Sequence, residues 1–249
     1  MTTRIAMWSG PRNISTAMMR AWENRPDTSV SDEPFYAAYL ALSDTNHPMH
    51  DAVLASQPRD WRKVAAAITG PAPDGAPIWF QKHMTHHMVS QIGRDWFGDV
   101  RHAFLIRDPV QVVASYANKR ETVTPLDLGY DLQAELFDEV VARTRQTPPV
   151  LESSDVLRNP KGALTALCGA LDVPFDPAML SWPAGPRSSD GVWATHWYAS
   201  VEASTGFRPW KKPSITLDAD QDAVAQACQG AYRRLSRFRL EIPGDLAEG

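Results

Sequence analysis

The chain has 249 residues, of which 43% are hydrophobic and 22% charged, a composition typical of a folded globular domain. Its formal net charge is −4, which argues against a general affinity for nucleic acid or for anionic membrane surfaces. Any anion that the chain binds must therefore meet a local cluster of cationic side chains. No repeat, low-complexity tract or linker divides the sequence, so we expect one α/β domain over residues 1–249.

The sequence carries no sign of a membrane or secretory protein. No apolar run approaches the ~20 residues that cross a bilayer, and no basic segment followed by a long apolar stretch opens the chain. Cys168 and Cys228 lie among apolar residues in helix-like segments, which predicts two buried free thiols in a reducing compartment. We therefore expect a cytoplasmic protein without a membrane partner.

The first predicted elements, a strand, a loop and a helix, form a potential anion site. The apolar strand Arg4–Trp8 runs into a short loop, and an amphipathic helix opens at Ala17. The first N–H groups of a helix have no internal partner, and the helix dipole adds partial positive charge there. Arg12 adds a full cation, while Ser15 and Thr16 add hydroxyl donors. This arrangement predicts binding of phosphate or sulfate.

The loop resembles the 5′-phosphosulfate loop of sulfotransferases, which reads roughly S/T-x-P-R/K-S/T-G-S/T-T. The matching positions are Ser9, Pro11, Arg12, Ser15 and Thr16, whereas Asn13 departs mildly and Ile14 stands where the family usually has glycine. A nucleoside-triphosphate P-loop would instead carry a Gly-Lys pair before its Ser/Thr. The resemblance implies that 3′-phosphoadenosine 5′-phosphosulfate (PAPS) is held here by Arg12, Asn13, Ile14, Ser15 and Thr16.

Candidates for a general base follow the first helix and the next predicted strand. Residues 35–40 are predicted to be helical, and Asp32-Glu33-Pro34 precedes them. Ile78–Lys82 reads as a strand after a Pro/Gly-rich loop, and His83 follows directly. The resemblance to sulfotransferases implies a base at Glu33 or at His83, and we expect the two to act jointly. His86 and His87 are rivals to His83, because related sequences read K-x-H.

A third predicted strand, His102–Ile106, ends at Arg107-Asp108-Pro109, and a helix is predicted over Val110–Lys119. An arginine at a strand end offers a bidentate fork to a phosphate, and Ser115 adds a hydroxyl two helical turns later. This pattern resembles the 3′-phosphate element of sulfotransferases. The resemblance implies that Arg107 and Ser115 bind the 3′-phosphate of PAPS.

The remaining pattern continues the alternation of strands and helices. Helical spacing runs from Asp127 to Arg145, Pro149–Leu151 reads as a fourth strand, and a helix is predicted over Pro160–Leu171. Residues 151–177 resemble a structural segment of sulfotransferases. The loop 185–193 resembles a family loop that covers the cofactor, which would assign Arg187 to cofactor binding, although a plain surface loop stays open as the alternative.

The alternation predicts a single α/β domain with a central parallel sheet flanked by helices and a P-loop-like sulfotransferase architecture. Ligands bind at the carboxyl ends of the strands in such sheets. The loop at Arg12, the Lys82-His83 pair and Arg107 all follow strand ends. We therefore expect these residues to converge on one active site.

The resemblance implies transfer of a sulfuryl group from PAPS to a hydroxyl or amine of a small-molecule acceptor. Arg12 would stabilise charge on the leaving phosphate, and no metal is expected, because His83 and His86 have no obvious third ligand nearby. One alternative is a P-loop kinase or nucleotide hydrolase that needs Mg²⁺ and ATP. Another is a binding protein that holds an adenosine bisphosphate without turnover. The sequence leaves the acceptor and the oligomeric state open.

Overall fold

A five-stranded, entirely parallel sheet organises the computed structural model, which describes residues 2–43, 45, 47–117, 123–212 and 214–242. The strand order is β2-β3-β1-β4-β5. The strands are β1 (Thr3–Ser9), β2 (Thr28–Asp32), β3 (Ile78–Met84), β4 (Arg101–Ile106) and β5 (Val150–Glu152). β1 lies at the centre, with β3 and β4 on either side, so its loop opens in the middle of the carboxyl edge of the sheet.

Side-chain alternation along the strands divides the core into two layers. Ile5 and Met7 of β1 face one layer, where they pack with the helices α1 (Ser15–Glu23) and α9 (Pro160–Ala170). Ala6 and Trp8 face the opposite layer, where α4 (Trp61–Thr69), α7 (Tyr130–Thr144) and α12 (Ala219–Ser236) cover the sheet. Helices on both faces explain why the central strands are buried along their length.

Further helices connect these elements along the described part of the chain. They are α2 (Tyr36–Leu42), α3 (His50–Ser56), α5 (Pro109–Ala117), α6 (Pro125–Leu128), α8 (Ser153–Arg158), α10 (Ala194–Trp197) and α11 (Ala199–Glu202). α2 joins Trp193 and Tyr198 in a third apolar cluster beside the sheet. This cluster places aromatic side chains next to the ends of β2 and β3.

The predicted fold class is confirmed, and most predicted elements lie within one or two residues of their observed bounds. Strand β2 was not predicted, although it forms one edge of the sheet. The predicted helix Asp127–Arg145 is two helices, because Gly129 between them has a φ of 69°. The end of the helix predicted over Val110–Lys119 lies outside the described residues, since α5 is described to Ala117.

Both cysteines are free and buried, as predicted, Cys168 in α9 and Cys228 in α12. Within the described ranges, no helix is long and apolar enough to cross a membrane. The described residues also contain no group of three or more histidine, cysteine or acidic side chains that could hold a metal ion.

Candidate active site

A cavity of about 410 Å³ lies at the carboxyl edge of the sheet, where the loop after β1 meets the ends of β3 and β4. One half is lined by the β1–α1 loop and the Arg107 segment, and the other by the ends of β2 and β3. The residues that enclose it include Arg12, Asn13, Ile14, Ser15, Thr16, Glu33, Tyr36, His47, Lys82, His86, His87, Arg107, Ser115, Trp193, Trp197 and Tyr198. The predicted convergence of three strand ends is therefore observed.

The β1–α1 loop is tightly folded and presents a helix N-terminus to the cavity. Arg12 and Ile14 adopt left-handed backbone conformations with φ of 58° and 43°. α1 begins at Ser15, two residues earlier than predicted, and no side chain caps its first turn. Its first N–H groups are therefore available to an anion. Gly10 is required in the loop, because a Cβ there would lie 2.8 Å from the Leu128 carbonyl oxygen.

Two guanidinium groups face this helix N-terminus. Arg12 Nε donates to Ser115 Oγ at 3.1 Å, and Arg107 Nη1 donates to the Arg12 carbonyl oxygen at 2.7 Å. Burial lowers the pKa of both arginines. No carboxylate of the described residues lies within ion-pair distance of either group. Partly desolvated cations that no described carboxylate pairs with favour binding of an anion.

Asn13 has a structural part in the loop. Its amide Nδ2 donates to the Leu105 carbonyl oxygen at 2.6 Å, and its side chain is buried. This contact ties the loop to β4, so the polypeptide backbone of residues 12–16 curves around one side of the cavity.

The opposite half of the cavity contains a buried network around Lys82. Lys82 Nζ donates to Asp32 Oδ1 at 2.8 Å, to Glu33 Oε1 at 2.5 Å and to the Tyr198 hydroxyl at 2.7 Å. The Tyr198 hydroxyl in turn donates to Asp32 Oδ2 at 2.8 Å. An ammonium has three N–H bonds, so the Lys82 side chain is fully engaged in holding these partners.

Glu33 is the carboxylate of this network that faces the cavity. It follows β2 in a left-handed conformation with φ of 44°, and its N–H donates to the Lys82 carbonyl oxygen at 2.9 Å. Burial raises the pKa of Glu33 to about 7, although the charge of Lys82 acts in the opposite direction. Burial would lower the pKa of Lys82, but Asp32 and Glu33 outweigh it and raise that pKa well above its usual value. The network therefore couples a permanent cation to a carboxyl group that titrates near neutrality.

His83 lies outside the cavity, on the opposite face of the sheet from Lys82. Its ring packs against Trp8 at 4.7 Å and Phe35 at 5.9 Å, and its Nε2 bonds to Gln81 Oε1 at 3.2 Å. Burial lowers the pKa of His83 to about 3. Successive residues of a strand point to opposite faces, so Lys82 and His83 cannot both reach the cavity. His83 is therefore not among the residues that line the cavity, whereas Glu33 is.

The two rival histidines do line the cavity. His86 and His87 lie in the turn after β3, and the Nε2 atom of His87 is 3.8 Å from Glu33 Oε2. They follow the strand by two and three residues, and within a turn the sequence spacing does not show which side chains point towards the cavity.

Arg187 lies away from the cavity lining. Its Nη2 donates to the Pro183 carbonyl oxygen at 2.9 Å, and its backbone N–H donates to Asp190 Oδ2 at 2.8 Å. The same loop nevertheless reaches the site through its later residues. The Gly191 N–H donates to Asp32 Oδ2 at 3.1 Å, and Trp193 Nε1 donates to the Tyr198 hydroxyl at 3.1 Å.

Sequence reasoning missed Asp32 and Tyr198 as members of the site. Asp32 precedes Glu33 at the end of β2. Because this strand was not predicted, the direction of the Asp32 side chain could not be inferred. Tyr198 is separated from Lys82 by 116 residues, and no local pattern marks that contact.

A family model described as a sulfotransferase domain matches residues 3–237. The chain belongs to this sulfotransferase family. Two solved structures show the same fold. A sulfotransferase from Alicyclobacillus acidocaldarius matches with a TM-score of 0.55 and 13% identity, covering 95% of each chain. The sulfotransferase domain of the Synechococcus PCC 7002 olefin synthase matches with a TM-score of 0.52 and 18% identity, covering 91% of this chain and 94% of that one.

Two curated relatives from Arabidopsis thaliana are more similar in sequence. The branched-chain-amino-acid aminotransferase-like protein 2 is 32% identical over 93% of this chain and 41% of its own length. The branched-chain-amino-acid aminotransferase-like protein 1 is 33% identical over 84% of this chain and 37% of its own length. The sulfotransferase chain thus spans about two-fifths of the length of these relatives.

Proposed function

We propose that this sulfotransferase moves a sulfuryl group from PAPS to a hydroxyl or amine of a small-molecule acceptor. The observation that carries the proposal is the pair of partly buried guanidinium groups, Arg12 and Arg107, beside an uncapped helix N-terminus, neither of them in an ion pair with a carboxylate of the described part of the chain. The buried carboxyl group of Glu33 lies across the same cavity. An anion site and a base in one cavity are the two parts that sulfuryl transfer requires.

In the proposed complex, the β1–α1 loop holds the 5′-phosphosulfate. The N–H groups at Ser15 and Thr16, together with Arg12, supply donors to its oxygens. Arg107 and Ser115 hold the 3′-phosphate, in keeping with the hydrogen bonds that link both residues to Arg12. Asn13 and Ile14 contribute through the backbone that shapes the loop.

Glu33 is the proposed general base. A bond forms between the acceptor oxygen or nitrogen and sulfur, while the bond between sulfur and the 5′-phosphate oxygen breaks. The acceptor proton passes to Glu33, and 3′-phosphoadenosine 5′-phosphate (PAP) leaves with the electron pair of the broken bond. A pKa of about 7 suits proton abstraction near neutral pH, and Arg12 stabilises the charge that develops on the leaving phosphate.

Protein cations suffice for this reaction in the proposal, because a sulfuryl group carries less charge than a terminal phosphoryl group. The absence of a Gly-Lys pair in the sequence of the loop also argues against a Mg²⁺-dependent kinase or nucleotide hydrolase. We further propose a cytoplasmic location, in keeping with the free thiols of Cys168 and Cys228.

A transfer assay with Glu33→Gln tests the proposal. Purified protein is incubated with PAPS and a panel of small alcohols, phenols and amines, and PAP release is measured by chromatography. We expect acceptor-dependent PAP release by the wild type and a loss of at least about 100-fold in Glu33→Gln, with PAP binding retained. Glu135→Gln makes the same chemical change on an exposed side chain of α7 and should leave the rate unchanged.

PAP binding without release of PAP from PAPS on any acceptor would favour a non-catalytic adenosine-bisphosphate-binding protein. Full activity of Glu33→Gln would instead remove Glu33 from the mechanism while leaving the donor site intact.

A further inference from the structure

We infer that His87 is a positioning residue for the proposed base: its Nε2–H donates to Glu33 Oε2 and holds that carboxylate ionised and directed at the acceptor. The inference rests on the proposed role of Glu33. In this arrangement His87 is the polar partner of Glu33 Oε2, the carboxylate oxygen that Lys82 does not contact.

The two oxygens of Glu33 have different environments. Oε1 accepts from Lys82 Nζ at 2.5 Å, whereas Oε2 lies 3.8 Å from His87 Nε2. A separation of 3.8 Å is within ion-pair range but longer than a hydrogen bond. A movement of about 1 Å would bring Nε2 and Oε2 to normal hydrogen-bond distance.

Two tyrosines fix the plane of the His87 ring. Tyr36 stacks on the imidazole with ring centroids 4.4 Å apart, and Tyr39 stacks on it at 4.9 Å, each with an interplanar angle of 21°. His86 meets the ring edge-on at 4.5 Å. The side chain of His87 is 2% exposed. Such packing leaves the ring little freedom to turn Nε2 away from Glu33.

The surroundings of His87 also select its tautomer. Burial, followed by the charges of His86, His47 and Lys82, lowers the pKa of His87 well below its usual value, so the ring is neutral and carries one N–H. The Nδ1 atom is buried without a hydrogen-bond partner among the described residues. An N–H at Nδ1 would lose its hydrogen bond, whereas an N–H at Nε2 faces a carboxylate. The proton therefore belongs on Nε2.

Charged and titratable groups reach Glu33 from several elements. Burial and the charge of Asp32 at the end of β2 raise the pKa of Glu33, whereas Lys82 on β3 and a hydrogen bond with Tyr198 lower it. His87 adds a donor from the turn after β3. Loss of that donor disfavours the ionised carboxylate, so the pKa of Glu33 should rise further.

Two neutral substitutions separate the donor from the rest of the ring. In His87→Gln the amide nitrogen can take the place of Nε2, and in His87→Asn it takes the place of Nδ1. Protein labelled with ¹³C at glutamate Cδ is titrated by NMR, and the Glu33 signal is identified by its loss in Glu33→Gln. We expect His87→Asn to raise the Glu33 midpoint by about half a unit or more, and His87→Gln to stay near the wild type.

Equal midpoints in the wild type and His87→Asn, or equal shifts in both variants, would overturn the inference. If the variants fail to fold, ¹⁵N-histidine NMR of the wild type decides instead. Protonated Nε2 and bare Nδ1 on His87 support the assignment, and the opposite tautomer contradicts it. Neither measurement needs PAPS or an acceptor, so a failed transfer assay with an intact coupling would count against the transferase proposal alone.

Discussion

At the scale of single residues, the cationic half of the site follows from short motifs and the acid–base half from strand geometry. Arg12, Arg107 and Ser115 were placed by spacing after strand ends, and the observed hydrogen bonds join all three. The sequence does not reveal that His83 points away from the cavity, because every residue of β3 is buried and no polar alternation marks its two faces. Only the register of the sheet reveals that Lys82 reaches the cavity.

Replacement of Arg107 by alanine should weaken PAP binding by about 10- to 100-fold, because a charge-assisted hydrogen-bonding fork to phosphate is lost. Isothermal titration calorimetry gives the affinity, and a thermal melt shows that the fold is retained. Arg233→Ala removes the same charge from an exposed position on α12 and should bind PAP normally. Equal affinities for the two variants would refute the phosphate role of Arg107.

The fall of the transfer rate at low pH should reflect the protonation of Glu33. Its folded pKa of about 7 lies above the usual value of 4.5, so the base is protonated and inactive at low pH. We expect kcat/KM to fall about tenfold per pH unit below neutrality and to level off above it. The residual rate of Glu33→Gln should lack this fall at low pH, and a wild-type rate that is flat from pH 5.5 to about 8 would argue against a carboxyl base.

At the scale of elements, the β1–α1 unit concentrates unusual backbone conformations where the ligand is proposed to bind. A non-glycine residue in the left-handed region costs about 1–3 kcal/mol, and Arg12 and Ile14 both occupy it. Ile14 thus keeps the left-handed backbone despite replacing the expected glycine. The sequence predicted this unit well, because an apolar strand, a polar loop and an amphipathic helix follow one another without interruption.

Gly10→Ala tests whether this loop is under steric constraint. A Cβ at Gly10 would lie 2.8 Å from the Leu128 carbonyl oxygen, so we expect a loss of about 1–3 kcal/mol in the free energy of unfolding and weaker PAP binding. Gly169→Ala is the matched control, since a Cβ there meets no atom within 4 Å and Gly169 lies in α9. That variant should gain about 0.5–1 kcal/mol. Similar effects of both substitutions would contradict the steric account.

Strand β2 shows where element prediction fails. Its sequence, Thr28-Ser-Val-Ser-Asp32, is mostly polar, and four of its five residues are only partly buried. An edge strand pairs on one side and needs less apolar surface than a central strand. Without β2, the sequence places Asp32 and Glu33 only before a predicted helix and gives no sign that they lie beside Lys82.

At the scale of the whole molecule, the buried sheet traps neutral histidines in the core. Burial lowers the pKa of His83 to about 3 and that of His102 to about 4. The unfolded chain takes up these protons near pH 6.5, so each histidine removes about 1.4 kcal/mol of stability per pH unit below that value. Burial raises the pKa values of Glu33 and Glu152 to about 7. Between pH 7 and their unfolded pKa of 4.5, these carboxyl groups bind protons more tightly in the folded state, so they increase the stability as the pH falls.

The variant His83→Phe isolates one of these contributions. The phenyl ring at position 83 should keep the contacts that His83 makes with Trp8 and Phe35, but it takes up no proton on unfolding. Between pH 7 and pH 5, the wild type should lose about 2 kcal/mol more stability than His83→Phe. Urea denaturation at the two pH values provides the comparison. Parallel losses in the two proteins would mean that His83 is not held neutral in the folded state.

The central claim, an adenosine-bisphosphate site at the carboxyl edge of the sheet, is tested most directly by thermal shift with PAP, AMP and Mg²⁺-ATP. PAP at a hundredfold excess over its Kd should stabilise the fold by about 2.7 kcal/mol, which raises the Tm by roughly 5–10 °C at this chain length. AMP, which lacks the 3′-phosphate, should give a much smaller shift at the same concentration. A shift with Mg²⁺-ATP and none with PAP would contradict the account and favour phosphoryl transfer.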